Sequence, residues 1–418
     1  MRDAKPALVP SGMRITFVLV TSLFALWGFA NDLTNPLVKA FKDVFVISNA
    51  QSSLVQTAFY GGYATMALPA ALFIRRFSYK AGILLGLALY AAGALLCLPA
   101  AAQANFNLFL LALYILTFGL AFLETTANPY VLSLGPAETA TRRLNLAQAF
   151  NPLGSLTGMA VASVLILSGL QVESIRDDIN RYRGDGAAAV DTSLLNYLEA
   201  QDAQRAQAGE PPLADLPADV VLDAALADFK EGELAAFEGR SYTGMRRHDL
   251  ALIKTPYVLI GLVVLGVGVV FALTPMPPGR HAGAGRPLGA TFALLGRNRR
   301  YREGVVAQGF YVGAQIMCWT FIIHYATANL GMSASRAQTH NIAAMGLFAA
   351  SRFICTFFLR YISPGRLLML LATGAILLTL GVIFLGGHAG LYCLIGVSGC
   401  MSLMFPTIYG IALDGMGD

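Results

Sequence analysis

The chain has 418 residues, 56% of them hydrophobic and only 13% charged, with a mean hydropathy of +0.61. A soluble domain carries roughly 25% charge, and the apolar residues here gather in charge-free runs of the ~20 residues needed to cross a bilayer, which excludes a water-soluble globule. The formal net charge of +5 hides a segregation: residues 171–250 hold 16 of the 24 acids and 8 of the 29 basic residues, and the remaining basic residues lie between apolar runs, a pattern of membrane topology rather than of nucleic-acid binding.

A first span is predicted over about Ile15–Asn31. Arg2, Lys5 and Arg14 precede it, but no small-x-small cleavage site leads into a soluble domain, so it reads as an uncleaved helix. The second span is expected within Val44–Ile74. Residues 81–123 are free of charge, too long for one crossing, and Pro99, Gln103, Asn105 and Asn107 divide them into spans three and four. A fifth is expected at about Leu144–Leu167 and a sixth near Leu252–Leu273. The seventh follows at about Gly304–Ala328 and the eighth at about Ala337–Leu359. Gly386 and Gly387 split the run Leu367–Leu413 into spans nine and ten.

The short loops 75–80, 138–143, 280–302 and 360–366 hold 13 basic residues, against Lys39, Lys42 and Arg336 on the other side. Positive charge marks the cytoplasmic loops, so a multi-pass protein of a bacterial inner membrane with a cytoplasmic N-terminus is expected. Segment 171–250 then lies outside and reads as a solvated loop between helices five and six. It contains Arg183-Gly184-Asp185, a triplet too short to assign. The expected organisation is a six-helix half (1–275), a basic cytoplasmic linker (276–302) and a partial second half (303–418). Internal similarity supports two repeats: Arg75–Lys80 and Arg360–Arg366 each follow a span and precede paired apolar helices. Aligning Pro129 with Pro406 sets Glu124 opposite Met401. The fold class is an all-α membrane protein of two six-helix repeats, the second incomplete.

Outside the long loop only eight acids remain, and only Asp32 and Glu124 lie within or at the edge of spans. A carboxylate at that depth costs several kcal/mol unless paired, hydrated or protonated. Both are therefore candidates for proton coupling, with a structural interhelical hydrogen bond as the alternative. Around them lie Asn31 and Asn35 on helix one, Asn128 four residues after Glu124, the stripe Asn145, Gln148 and Asn151 on helix five, and Gln315 in helix seven. Amides both donate and accept, which suits neutral hydroxylated ligands. Trp27 and Trp319, the only tryptophans, can cover the apolar face of a sugar or simply pack. Arg352, the one basic residue deep in a span, reads as structural. His324, His340 and His388 read as loop-edge residues. The five cysteines show no metal-ligand spacing. No nucleotide fingerprint or catalytic triad is present, so no enzyme, cofactor or metal is expected, and an ion gradient or the solute's own gradient supplies the energy.

Several stretches resemble the fucose–proton symporter family of the major facilitator superfamily. They are Leu26–Leu33 (LWGFANDL), Ala58–Tyr63 (AFYGGY), Phe77–Gly82 (FSYKAG), Leu123–Tyr130 (LETTANPY), Arg143–Gly154 (RLNLAQAFNPLG), Tyr311–Gln315 (YVGAQ) and Phe405–Ile408 (FPTI). The resemblance implies the major facilitator fold, L-fucose or a related sugar as substrate, a proton as coupling ion, and no other cofactor. It implies that Glu124 takes part in substrate-linked protonation, with Gln148 and Asn151 near the sugar. The expected partners are sugar, proton and membrane lipid, without nucleic acid, and a monomer is expected. The chain departs from the family at helix one, where the acid is Asp32 and the family's later position holds Asn35. The family has twelve helices and ten are predicted before Asp418. The alternatives are accordingly a glucose, galactose or N-acetylglucosamine symporter, or a C-terminally truncated carrier that binds sugar without moving it.

Overall fold

The computed structural model describes residues 7–34, 37–184, 190–277, 287–330, 332 and 334–414. Among them ten helices are long and apolar enough to cross a membrane. The first six spans are Arg14–Thr34, Leu54–Arg76, Tyr79–Ala102, Phe106–Ser133, a fifth made of Ala140–Gln148 and Asn151–Val161, and Tyr242–Leu273. The other four are Arg299–Leu330, Ala334–Phe358, Pro364–Leu385, and a tenth made of Gly387–Met401 and Met404–Leu413. Helices satisfy every backbone group within the segment, which hydrocarbon demands.

Local chemistry sets the breaks. The third span ends at Ala102, and Asn105 caps the fourth by accepting from Leu108 N–H at 3.1 Å. Ser78 caps the third through Ala81 N–H at 3.0 Å. Gly386 and Gly387, with φ of 61° and 52°, make the turn between spans nine and ten, a backbone region closed to most side chains.

The second span begins at Leu54, inside the expected window, and runs two residues past Ile74 to Arg76; ahead of it Leu37–Phe45 forms a separate short helix and Ser48 caps a further turn with Gln51. The fifth begins at Ala140 rather than Leu144 and breaks at Ala149–Phe150, ahead of Pro152, whose ring nitrogen has no hydrogen to donate. The sixth begins at Tyr242 rather than Leu252. Within the basic linker Leu288–Arg297 is helical, while 278–286 lies outside the described residues.

Association of helices in lipid rests on close packing, since hydrocarbon tails are as apolar as leucine. Spans one and five accordingly meet at glycines: a Cβ on Gly28 would strike the Asn151 carbonyl, and one on Gly154 the backbone of Ala25. The two halves touch at the end that carries the turns 134–139 and 359–363. Asn145 Nδ2 donates to Thr407 Oγ1 at 3.2 Å, and Arg352 Nη1 to the Gln148 carbonyl at 3.0 Å. Phe150 meets Phe353 edge to face at 5.8 Å, and Gly410 leaves room for Thr141.

Segment 171–250 is not the solvated loop expected. It folds into helices Gln171–Arg183, Thr192–Ala208 and Ala218–Glu231, and the long sixth span rises into them. Leu194, Leu198, Leu222, Phe229 and Phe237 are fully buried between these helices. Many of its acids accept backbone hydrogen bonds. Asp191 takes Ser193 and Leu194 N–H, Asp202 takes Leu213 N–H, and Asp249 takes Gln171 and Val172 N–H at 2.9 and 3.2 Å. This helical cap is seated on Leu37–Phe45. Arg176 pairs with the buried Asp43 and with Glu173, and Lys42 with Asp223 at 2.8 Å.

Removing one partner of a buried ion pair leaves the other charge uncompensated. Arg176 keeps Glu173, so Asp43→Asn is expected to loosen the cap by about 2 kcal/mol, below the ~3–5 kcal/mol of a buried pair broken outright. Limited proteolysis should then cut within 171–231 tenfold or more faster while the spans stay intact. Unchanged cutting would show that the pair does not seat the cap.

Candidate functional site

A cavity of about 710 Å³ lies between the halves. Spans one, two, four and five form one wall, and spans seven, eight and ten the other. Eight of the eleven residues expected to bind or couple line it: Trp27, Asn31, Asp32, Glu124, Gln148 and Asn151 on the first wall, Gln315 and Trp319 on the second. Asn35 lies outside the described residues.

Asn128 and Asn145 stand away from the cavity. Asn128 is buried one layer behind it, where its Oδ1 accepts from Gln148 Nε2 at 2.7 Å and its Nδ2 donates to the Glu124 carbonyl at 3.1 Å. Asn145 is fully buried at the closed end and bonds Thr141 and Thr407. It joins the halves instead of facing a ligand. The i, i+3 stripe fails because three residues turn a helix by roughly 300°, so each step drifts by about 60°.

Glu124 sits on span four, half-buried, and among the described residues its carboxyl group takes no hydrogen bond or ion pair. Tyr63 and, across the interface, Tyr409 lie within its electrostatic reach. Asp32 lines the opposite rim, close to Tyr60. Trp27 Nε1 donates to the Tyr63 hydroxyl, and Asn151 Nδ2 to the Phe24 carbonyl at 3.2 Å. On the second wall Trp319 stands edge to face on Phe348 at 5.3 Å. Among the described residues, Trp319 Nε1 and Asn341 Oδ1 have no hydrogen-bond partner.

Sequence reasoning missed much of the second wall. Gln338, Asn341, Met345, Phe348 and Arg352 all line the cavity, and their spacing of three and four is the signature of one helix face. Tyr60 and Tyr63 follow the same rule on span two. His324, read as a loop-edge residue, lies within span seven and lines the cavity.

A two-walled helical body of membrane-spanning length around a central cavity, with amides and the two acids Asp32 and Glu124 set in a largely apolar lining, defines a membrane carrier. The general model of the Major Facilitator Superfamily matches residues 18–173. The chain is 49% identical to the L-fucose-proton symporter of Haemophilus influenzae over 96% of its own length and 82% of that protein. It is 35% identical to the L-fucose-proton symporter of Escherichia coli, over 96% and 80%. The solved structure of the transporter FucP in the outward conformation superposes with a TM-score of 0.76 at 33% identity, covering 97% of this chain and 85% of that one. The chain belongs to the fucose–proton symporter family of the major facilitator superfamily. It is a multi-pass membrane transporter, not an enzyme.

Proposed function

We propose that the protein imports L-fucose together with a proton by alternating access. The observation that carries this reading is that Glu124 lines the same cavity as Gln148, Asn151 and Gln315. The amides hold the hydroxyl groups, Trp27 and Trp319 cover apolar ring faces, and Glu124 carries the proton. Asp32 tunes coupling from the rim. Asn128 acts through Gln148. The excess of lysine and arginine in the loops at the closed end supports a cytoplasmic N-terminus. In an inner membrane this cavity then faces outward. A driving force of roughly 150 mV supplies ~3.5 kcal/mol per proton, enough for a few-hundredfold accumulation.

The test is the pH change on adding sugar to vesicles that carry this chain. L-fucose should draw protons inward, with D-galactose, D-glucose and N-acetylglucosamine weaker. A response to one of those three alone would move the substrate. Saturable L-fucose binding without proton movement would make the protein a binder rather than a symporter.

A further inference from the structure

The geometry points to Arg352 as the latch of the closed end, the residue whose bonds must break each time the cavity changes the side it faces. This rests on the alternating-access reading above, but not on the identity of the sugar.

Arg352 is 4% exposed, and among the described residues no carboxylate pairs with it. A cation buried without an anion is costly, so other groups must balance it. Its Nε donates to the Ser402 carbonyl at 2.5 Å and its Nη1 to the Gln148 carbonyl at 3.0 Å, while the guanidinium lies 4.6 Å from the Phe348 ring centre.

Those two carbonyls share an origin. In an unbroken helix each would accept from the N–H four residues later. For Gln148 that residue is Pro152, and for Ser402 it is Pro406. Neither proline has a hydrogen to give. Gln148 ends the helix Ala140–Gln148, and Ser402 caps Gly387–Met401, so both carbonyls also sit at the negative ends of helix dipoles. One belongs to each half. A single guanidinium on span eight thus ties two proline-freed carbonyls together across the interface, and parting the halves there strips Gln148 of its donor. The same Gln148 lines the cavity, and its side chain reaches, through Asn128, the backbone of Glu124. A ligand pulling on that amide therefore strains the latch carbonyl of the same residue.

The probe is a cysteine at Thr141, which packs against Gly410 at the closed end, labelled by maleimide in the full chain. Arg352→Gln should raise the labelling rate roughly tenfold or more, as expected for losing charge-assisted hydrogen bonds. Arg352→Lys, which keeps a charge but not the fork, should fall between. Pro152→Ala gives the Gln148 carbonyl its helical donor back and should raise labelling severalfold with Arg352 intact. Labelling of Arg352→Gln within twofold of its parent, whatever its melting temperature, would overturn the latch. Should that variant not fold, parental labelling in Pro152→Ala would do the same. Open labelling in the variants, with no response to L-fucose in the parent, would keep the latch and discard the sugar.

Discussion

Glu124→Gln is expected to abolish pH-dependent net uptake, at least a hundredfold below the parent, while sugar-for-sugar exchange stays within about threefold. Glutamine has the size of a protonated glutamic acid and the same neutral charge. A carrier fixed in that form can bind sugar and cross, because its cavity already holds the neutral group that the loaded state requires. It cannot release a proton inside and return empty in the ionised form, so the gradient no longer drives accumulation. The geometry favours this outcome over a purely structural role. Among the described residues the Glu124 carboxyl makes no interhelical hydrogen bond, and such a bond is what a structural carboxyl at that depth would need. Asp32→Asn serves as the comparator. Asp32 lies at the rim and has other interactions within the chain, so coupling should weaken only a few-fold. The check is uptake at pH 6 and pH 8 beside exchange in preloaded vesicles. Wild-type pH dependence in Glu124→Gln would remove it from the proton path, and equal damage from Asp32→Asn would reverse the ranking of the two acids.

The spans were legible because lipid enforces a simple rule: few charges, about 20 apolar residues, and polar or glycine breaks. Asn105 and Gly386–Gly387 act as the breaks their chemistry suggests. The cap was not legible for an equally physical reason. Several of its acids, read as solvation, are spent instead on backbone N–H groups and on Arg176 and Lys42. Its core was present in the spacing of Val221, Leu222, Ala225, Leu226 and Phe229, but diluted by alanine and aspartate. Glu124 stood out as a lone charge in an apolar run. On the second wall Gln315, Trp319 and Arg352 stood out, but Gln338 and Asn341 look unremarkable until the helix face they share with Arg352 is traced. Asn145 and Gln148 share the helix Ala140–Gln148, and three residues of helix turn Asn145 away from the face that Gln148 presents to the cavity.

Gln148→Ala and Asn128→Ala should each weaken sugar binding, and the double variant should be little worse than Gln148→Ala alone. Gln148 is the only one of the two that lines the cavity. Its removal takes away a ligand amide and leaves a sugar hydroxyl buried unpaired, about 2–3 kcal/mol, or roughly 30- to 150-fold in affinity; the donor that Asn128 Oδ1 loses is a cost to stability, equal with and without sugar. Asn128→Ala leaves the ligand amide in place but frees it to turn, since the 2.7 Å bond from Nε2 no longer fixes which end faces the sugar. The expected cost is about tenfold, mostly the lost orientation. Once Gln148 is gone, Asn128 has nothing to orient, so the two effects must fail to add. Equilibrium binding of radiolabelled L-fucose to the purified parent, both single variants and the double variant closes the cycle. Strict additivity would mean that Asn128 acts on the sugar or the fold by a route that does not pass through Gln148.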